Sequence, residues 1–275
     1  MIKIIGLLEN TTAANADLKC KHGLSLYIQT DKHKILFDVG PDDLFVKNAQ
    51  KLGVDIADVD IAVISHGHVD HCGGLKHFLH INRKAAIYIR SQAVEPHYVK
   101  VLGVPFYAGI DKKLACCDRF VFTDEHCVVD DEITLFSDVY GNFPLPRSDS
   151  NLFVGRDGKI VADDFRHEQN LVVNSCGNNV LVCGCAHAGI VNIVEQSRTI
   201  AGAYPTAVVG GFHLYEPTSK RYERADYIDN VAKRLAATGA TFYTCHCTGT
   251  KAYEQLKLRL GDRLSYLHTG TKICI

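Results

Sequence analysis

The sequence predicts an α/β (α+β) protein in which two β-sheets lie face to face with helices outside, and three observations predict it. Strand-period and helix-period segments alternate in the first third and again in the last third of the 275 residues. The stretch between them reads as short strands separated by turn signals. No low-complexity tract, Ser/Pro-rich linker or short repeat interrupts the chain, so a single domain over residues 1–275 is expected.

The elements follow in order. Lys32 to Gly40, KHKILFDVG, puts Ile35, Phe37 and Val39 on one strand face. Pro41 then opens a helix with Leu44, Phe45, Ala49 and Leu52 at helical spacing, closed by Gly53. A strand over residues 60–65 leads into a histidine-rich turn; Leu75, Phe78 and Leu79 mark a short helix, and AAIYIR is the next strand. From about residue 119 to 182 the pattern is that of a β-meander, with GRDGK (155–159) and CGNN (176–179) as hairpin turns. The last third gives a strand over 179–185, a helix over 190–200, a strand over 206–209 and a helix through Ile228, Val231, Ala232 and Leu235. A strand over 241–245, a helix over 252–260 and a strand over 264–267 complete it.

Thirty Lys plus Arg against thirty-one Asp plus Glu leave a formal charge of -1, so no global field gathers nucleic acid or an anionic membrane. No stretch approaches the ~20 apolar residues of a membrane span, and MIKIIGLLENTTAANADLKC carries no small-residue cleavage site after its short apolar run. The expectation is a cytoplasmic protein with a small-molecule substrate. Eleven cysteines without an export signal are expected to be reduced, buried thiols rather than disulfides. Cys183, Cys185 and His187 share one strand face by the two-residue period, so a thiolate ligand is conceivable, but both cysteines are expected to be structural.

The chemistry concentrates in SHGHVDHCGG (65–74), which places three imidazoles and a carboxylate within six residues at the end of a strand. His66 and His68 can turn toward one point and Asp70 and His71 toward a second, as metal chelation requires. Gly67, Gly73 and Gly74 ease the tight path. H-x-H-x-D-H after a strand resembles the metal-binding signature of the metallo-β-lactamase superfamily. CGCAHAGIVN supplies His187 and TFYTCHCTG supplies His246 in the order that family asks for. Where relatives carry Gly-Asp, this chain reads VVGGFHL, with Gly211 in the aspartate's place and His213 two residues on. Together with HGLS (22–25) and LFDVG (36–40), these motifs resemble the branch of dihydropterin-ribofuranosyl-aminobenzene phosphate synthase-like metal-dependent hydrolases, over nearly the whole chain.

The resemblance implies a four-layer αββα sandwich of two mixed sheets flanked by helices. It implies a binuclear metal site, with His66, His68 and His187 around a first metal and Asp70, His71 and His246 around a second. Zinc suits the imidazole-rich set, with manganese or iron as alternatives, one or two ions per chain. Asp38 is a candidate to orient a ligand imidazole. The implied activity is hydrolysis of a small-molecule ester, first of all a phosphoester or phosphoanhydride, by a metal-bound hydroxide that Asp70 orients. His213 would ligate a metal, donate a proton or hold a substrate oxygen. A synthase that displaces pyrophosphate from a pterin-like substrate is the alternative, and a non-hydrolytic metal-binding or redox protein ranks below both.

Overall fold

The computed structural model describes residues 1–12 and 17–275; residues 13–16, part of the amino-terminal stretch read for an export signal, lie outside the described residues. The chain divides into two compact units: residues 1–124, 152–169 and 268–275 form the first, and 125–151 and 170–267 the second.

The first unit is built on a seven-stranded sheet, ordered Lys272–Cys274, Lys3–Leu8, Ser25–Gln29, Lys34–Phe37, Ile61–Val63, Ala86–Arg90 and Phe120–Thr123. The sheet is mixed. Its first four strands pair antiparallel, and from Lys34–Phe37 onward the pairing is parallel. Parallel neighbours need crossovers. Helix Leu44–Leu52 supplies one, and the helices Val69–Cys72 and Leu75–Ile81 supply the next. The apolar spacing read from the sequence sets the packing, because Phe45, Ala49, Leu75 and Phe78 from the helices cluster with Leu36, Ala62, Ile87 and Ile89 from the sheet. Gly53 ends the first helix in the left-handed conformation, φ 72°, that favours glycine. A four-stranded antiparallel sheet, Lys159–Ala162, Leu152–Arg156, His97–Val101 and Val104–Tyr107, belongs to the same unit.

The second unit holds a mixed seven-stranded sheet, ordered Leu264–Tyr266, Thr241–Thr244, Ala207–Gly210, Asn178–Val182, Gln169–Ser175, Ile133–Ser137 and His126–Val128. Its parallel strands are joined through helices Ile190–Ala201, Ala225–Ala236 and Thr250–Leu260. Ile190, Ile193, Val194, Ile228, Val231, Leu235, Leu256 and Leu260 from those helices pack on Leu181, Val208 and Phe242.

Both predicted hairpins form. Arg156 faces Lys159 across Asp157 and Gly158, and Ser175 faces Asn178 across Cys176 and Gly177. All four turn residues have positive φ, as a two-residue type I′ turn requires. The single meander does not form, because the strands between 119 and 182 are dealt among three sheets. Local periodicity reports that a segment is a strand and says nothing of its neighbour. Strands Lys3–Leu8, Ser25–Gln29 and Lys272–Cys274 went unread, the first two being buried along nearly their whole length and so without clear alternation. The strand expected over 179–185 stops at Val182, and Ala186 takes φ 60°, so Cys183, Cys185 and His187 do not share a strand face. Of the eleven cysteines five are buried, while Cys20, Cys116, Cys176 and Cys274 are exposed, so the expectation of buried thiols holds for Cys72 and the four in the 183–185 and 245–247 segments. Among the described residues, no helix is long and apolar enough to cross a membrane.

Candidate metal centre

In the first unit the Ile61–Val63 strand ends just before Ser65 and His66, and His68 caps the short helix Val69–Cys72 that carries Asp70 and His71. His66, His68 and His71 are all buried, with the His66 ring 4.7 Å from that of His68 and 4.1 Å from that of His71. One carboxylate organises them. Asp38, fully buried after the Lys34–Phe37 strand, accepts the Ser65 N–H at Oδ1 at 2.7 Å. Its Oδ2 accepts the Ser65 hydroxyl at 2.7 Å and His71 Nδ1–H at 2.6 Å. Because the Ser65 proton is committed to Asp38, Ser65 Oγ accepts from His66 Nδ1 at 2.8 Å. The network therefore puts the proton of both imidazoles on Nδ1 and leaves Nε2 with the lone pair that a metal takes.

Asp70 is only partly buried, with Oδ2 3.6 Å from His71 Nε2 and 3.3 Å from His22 Nε2. His22 belongs to the HGLS motif, whose chemical partner sequence reading did not find. Gly23, at φ 143°, lies against the Asp70 backbone, where an added Cβ would come within 2.5 Å of the Asp70 carbonyl oxygen. Only glycine fits there.

A second buried carboxylate faces His68. Asp163 Oδ2 lies 3.7 Å from His68 Nε2, 3.0 Å from His97 Nδ1 and 3.2 Å from His167 Nε2. His167 Nδ1 in turn accepts the Gly67 N–H at 2.9 Å, which fixes the neutral ring with its proton toward Asp163. Burial would raise the Asp163 carboxyl, but the surrounding imidazoles, His167 foremost, hold it far below the usual carboxylate range. Burial drives His167 the other way, down to about 3. His97, Asp163 and His167 were missed from sequence; the i, i+4 spacing of Asp163 and His167 was the available signal.

In the second unit His187 lies between the Asn178–Val182 strand and the helix that starts at Ile190, and it is buried. Its Nδ1–H donates to Asp149 Oδ1 at 2.6 Å, and the same oxygen lies 3.0 Å from His213 Nε2. The two rings are 4.3 Å apart. Burial opposes charge on both partners, yet the facing imidazoles of His213 and His187 hold Asp149 well below its ordinary value, and the Asp149 carboxylate raises His213 well above its own. His213 Nδ1 is buried and makes no hydrogen bond. His246 opens the turn His246–Thr248 and is buried with Cys185 and Cys247, the donor atoms of the three lying within 4.8 Å of one another. Ala186, His213 and His246 all have positive φ, at 60°, 46° and 51°. Such strain in non-glycine residues persists only where the surroundings hold it. At His213 they do: its N–H donates to Cys247 Sγ at 3.3 Å, its carbonyl accepts the Ser148 hydroxyl at 2.6 Å, and the neighbouring Phe212 N–H donates to Thr248 Oγ1 at 2.9 Å. Asp149 lies in the stretch for which no motif was found.

The model of the metallo-β-lactamase superfamily matches residues 18–195, well over half of the chain. The chain belongs to the metallo-β-lactamase superfamily. It is 27% identical over 282 residues to the uncharacterised protein MJ0448 of Methanocaldococcus jannaschii, covering all of both chains. It is 28% identical over 292 residues to the 7,8-dihydropterin-6-methyl-4-(β-D-ribofuranosyl)-aminobenzene-5′-phosphate synthase of the same organism, covering 98% of this chain and 95% of the other. The solved structure of Tm1679, described as a metal-dependent hydrolase of the β-lactamase superfamily, superposes with a TM-score of 0.82 at 29% identity and covers 100% of this chain and 99% of its own. The fold is the metallo-β-lactamase fold, mixed sheets flanked by helices, as the histidine motif implied.

The donors fit a divalent metal. Each of His66, His71 and His187 hands its Nδ1 proton to an oxygen, the arrangement that orients metal-binding imidazoles. Ligand atoms around a tetrahedral zinc lie about 3.3–3.8 Å apart, so sets within 4.8 Å close onto an ion with shifts of about an ångström or less. The absent family aspartate has a physical counterpart here. A Cβ on Gly211 would come within 2.9 Å of Gly184 O and closer still to Cys247 Sγ, so the position has no room for the carboxylate side chain that the resemblance led us to expect there.

Proposed function

We propose that this protein is a metal-dependent hydrolase of a small-molecule ester, with a phosphoester or phosphoanhydride as the first candidate. The observation that carries the reading is the set of buried imidazoles of His66, His71, His187 and His213, each backed by a carboxylate or by a serine hydroxyl that a carboxylate holds. Protein stability alone gives no reason to bury Asp38, Asp149 and Asp163 against so many histidines, because burying charge costs free energy unless it is repaid by pairing.

In this reading His66, His68 and His187 hold the tighter ion, and Asp70, His71 and His246 the weaker. When bound, a divalent metal, zinc by the imidazole-rich donor chemistry, polarises a substrate oxygen and lowers the pKa of water from 15.7 to about 7. Asp38 fixes the rings of His66 and His71, and Asp163 faces that of His68. Asp70, partly open to solvent, accepts the proton of the attacking water and aligns its lone pair. His213, held by Asp149 through Nε2, presents Nδ1 to the leaving-group oxygen as its proton donor. His213→Ala should then lower turnover more than it lowers metal occupancy.

The identity to a synthase sustains a second reading, in which an organic nucleophile displaces pyrophosphate from a pterin-like substrate. A panel of phosphomonoesters, phosphodiesters, thioesters and lactones, turned over in ¹⁸O-enriched water, separates the two. Hydrolysis places one ¹⁸O in a product for each bond broken. Turnover that needs an added organic nucleophile and leaves ¹⁸O out of both products supports the synthase and removes the hydrolase.

A further inference from the structure

Position 211 poses a chemical problem, since the family resemblance implies an aspartate there, a side chain able to bridge two metal ions, and this chain has no space for it. The second unit offers another anionic donor nearby. Cys185 is 3% exposed, and its Sγ is common to two buried sets made of second-unit residues. One set is Cys185, His187 and His213, the other Cys185, His246 and Cys247, each with its donor atoms within 4.8 Å of one another. His187 and His246 are the residues assigned above to different ions.

The three neighbouring thiols are not equivalent. Cys183 Sγ lies 3.7 Å from the carbonyl oxygens of Val209 and Gly211 and packs in the apolar cluster with Phe136, Val208 and Phe212, a structural place. Cys247 Sγ accepts the His213 N–H at 3.3 Å and approaches Cys185 O at 3.5 Å, so it also holds the strained backbone of His213. Cys185 and Cys247 are both buried outside the apolar clusters, and of the two sets above Cys185 alone belongs to both.

We propose that Cys185 is a thiolate metal ligand that takes over, from the His187 side to the His246 side of the second unit, the bridging duty a carboxylate at position 211 would have. The inference rests on the metal-dependent reading above and deepens it. On binding, the Cys185 S–H bond breaks, a metal–sulfur bond forms and the proton leaves to solvent, with no redox change. Thiolate favours zinc or another thiophilic ion over magnesium or calcium. It also revises the expectation that both Cys183 and Cys185 are structural: the first is, and the second is not.

Cobalt(II) replacing the native ion tests this without recourse to turnover. Visible ligand-field bands report that the ion is bound, and a near-ultraviolet sulfur-to-cobalt charge-transfer band reports a thiolate. We expect both in the wild type and in Cys183→Ser, and the ligand-field bands without the charge-transfer band in Cys185→Ser. Cys185→Asp, which returns an anionic oxygen, should restore metal stoichiometry lost in Cys185→Ser and still lack the charge-transfer band. Ligand-field bands without charge transfer in the wild type would overturn the thiolate and leave the metal-dependent reading standing. Charge transfer lost in Cys247→Ser but kept in Cys185→Ser would overturn the choice of sulfur. A wild-type protein that binds no cobalt would overturn both the ligand and the reading it rests on.

Discussion

Asp38 shows how one residue can set a site. It accepts three hydrogen bonds within 2.7 Å, and through Ser65 and directly it fixes the tautomers of His66 and His71. Asp38→Asn keeps the shape but turns an acceptor oxygen into an N–H that faces donors. Losses from such outer partners run about 10–100-fold in metal affinity, and that range is the expected outcome in a metal titration of the variant. Affinity unchanged from wild type would mean that the rings are oriented by packing alone. His167 makes a stability prediction with a definite sign. Its folded pKa is lowered to about 3, so the unfolded state, at about 6.5, binds the proton first. The stabilising contribution is complete above about pH 6.5 and is lost as pH falls toward 3. In metal-free protein, His167→Gln should flatten the decline of Tm over that window, and an undiminished slope would place the acid sensitivity elsewhere. The histidine motif was legible in the sequence because its residues are adjacent. Asp149 was not, because an aspartate is common and its partner His187 lies 38 residues away; Asp163 offered only its i, i+4 spacing to His167, and its other partner His97 lies 66 residues away.

At the scale of elements, the site stands on strand ends, and the strands stand on their cores. Ile61–Val63 and Asn178–Val182 are the pieces that place His66 and His187, and helices after them were readable, the first from the spacing of Leu75, Phe78 and Leu79 and the second as a helix over 190–200. What the spacing left open was which strand pairs with which, since pairing is decided by long-range registry rather than by period. Phe242 is fully buried in the strand that leads to His246. Phe242→Ala should cost about 3–5 kcal/mol of stability, measured by denaturant unfolding. Folded variant protein should still bind the tighter ion of the proposed function, because the residues proposed to hold it, His66, His68 and His187, lie on other elements. Metal lost in proportion to stability would mean that the first site depends on the Thr241–Thr244 strand.

For the whole molecule, the family assignment and the buried donor sets predict that metal and folding are linked. Binding to the native state alone adds about 4 kcal/mol when free metal exceeds Kd a thousandfold. Chelator treatment should therefore lower Tm measurably, and added zinc should restore it, whereas a Tm indifferent to both would leave the histidines without a structural ion. The central claim is that catalysis depends on a metal held by the imidazoles around His66. The direct measurement is the phosphoesterase rate of metal-stripped protein as zinc is added in known equivalents, for wild type and for His66→Ala. The account predicts no rate in the stripped protein, a rate that rises with bound zinc and saturates at one or two equivalents, and neither rate nor tight metal in His66→Ala. Full turnover by the stripped protein, or full metal occupancy in His66→Ala, would contradict it.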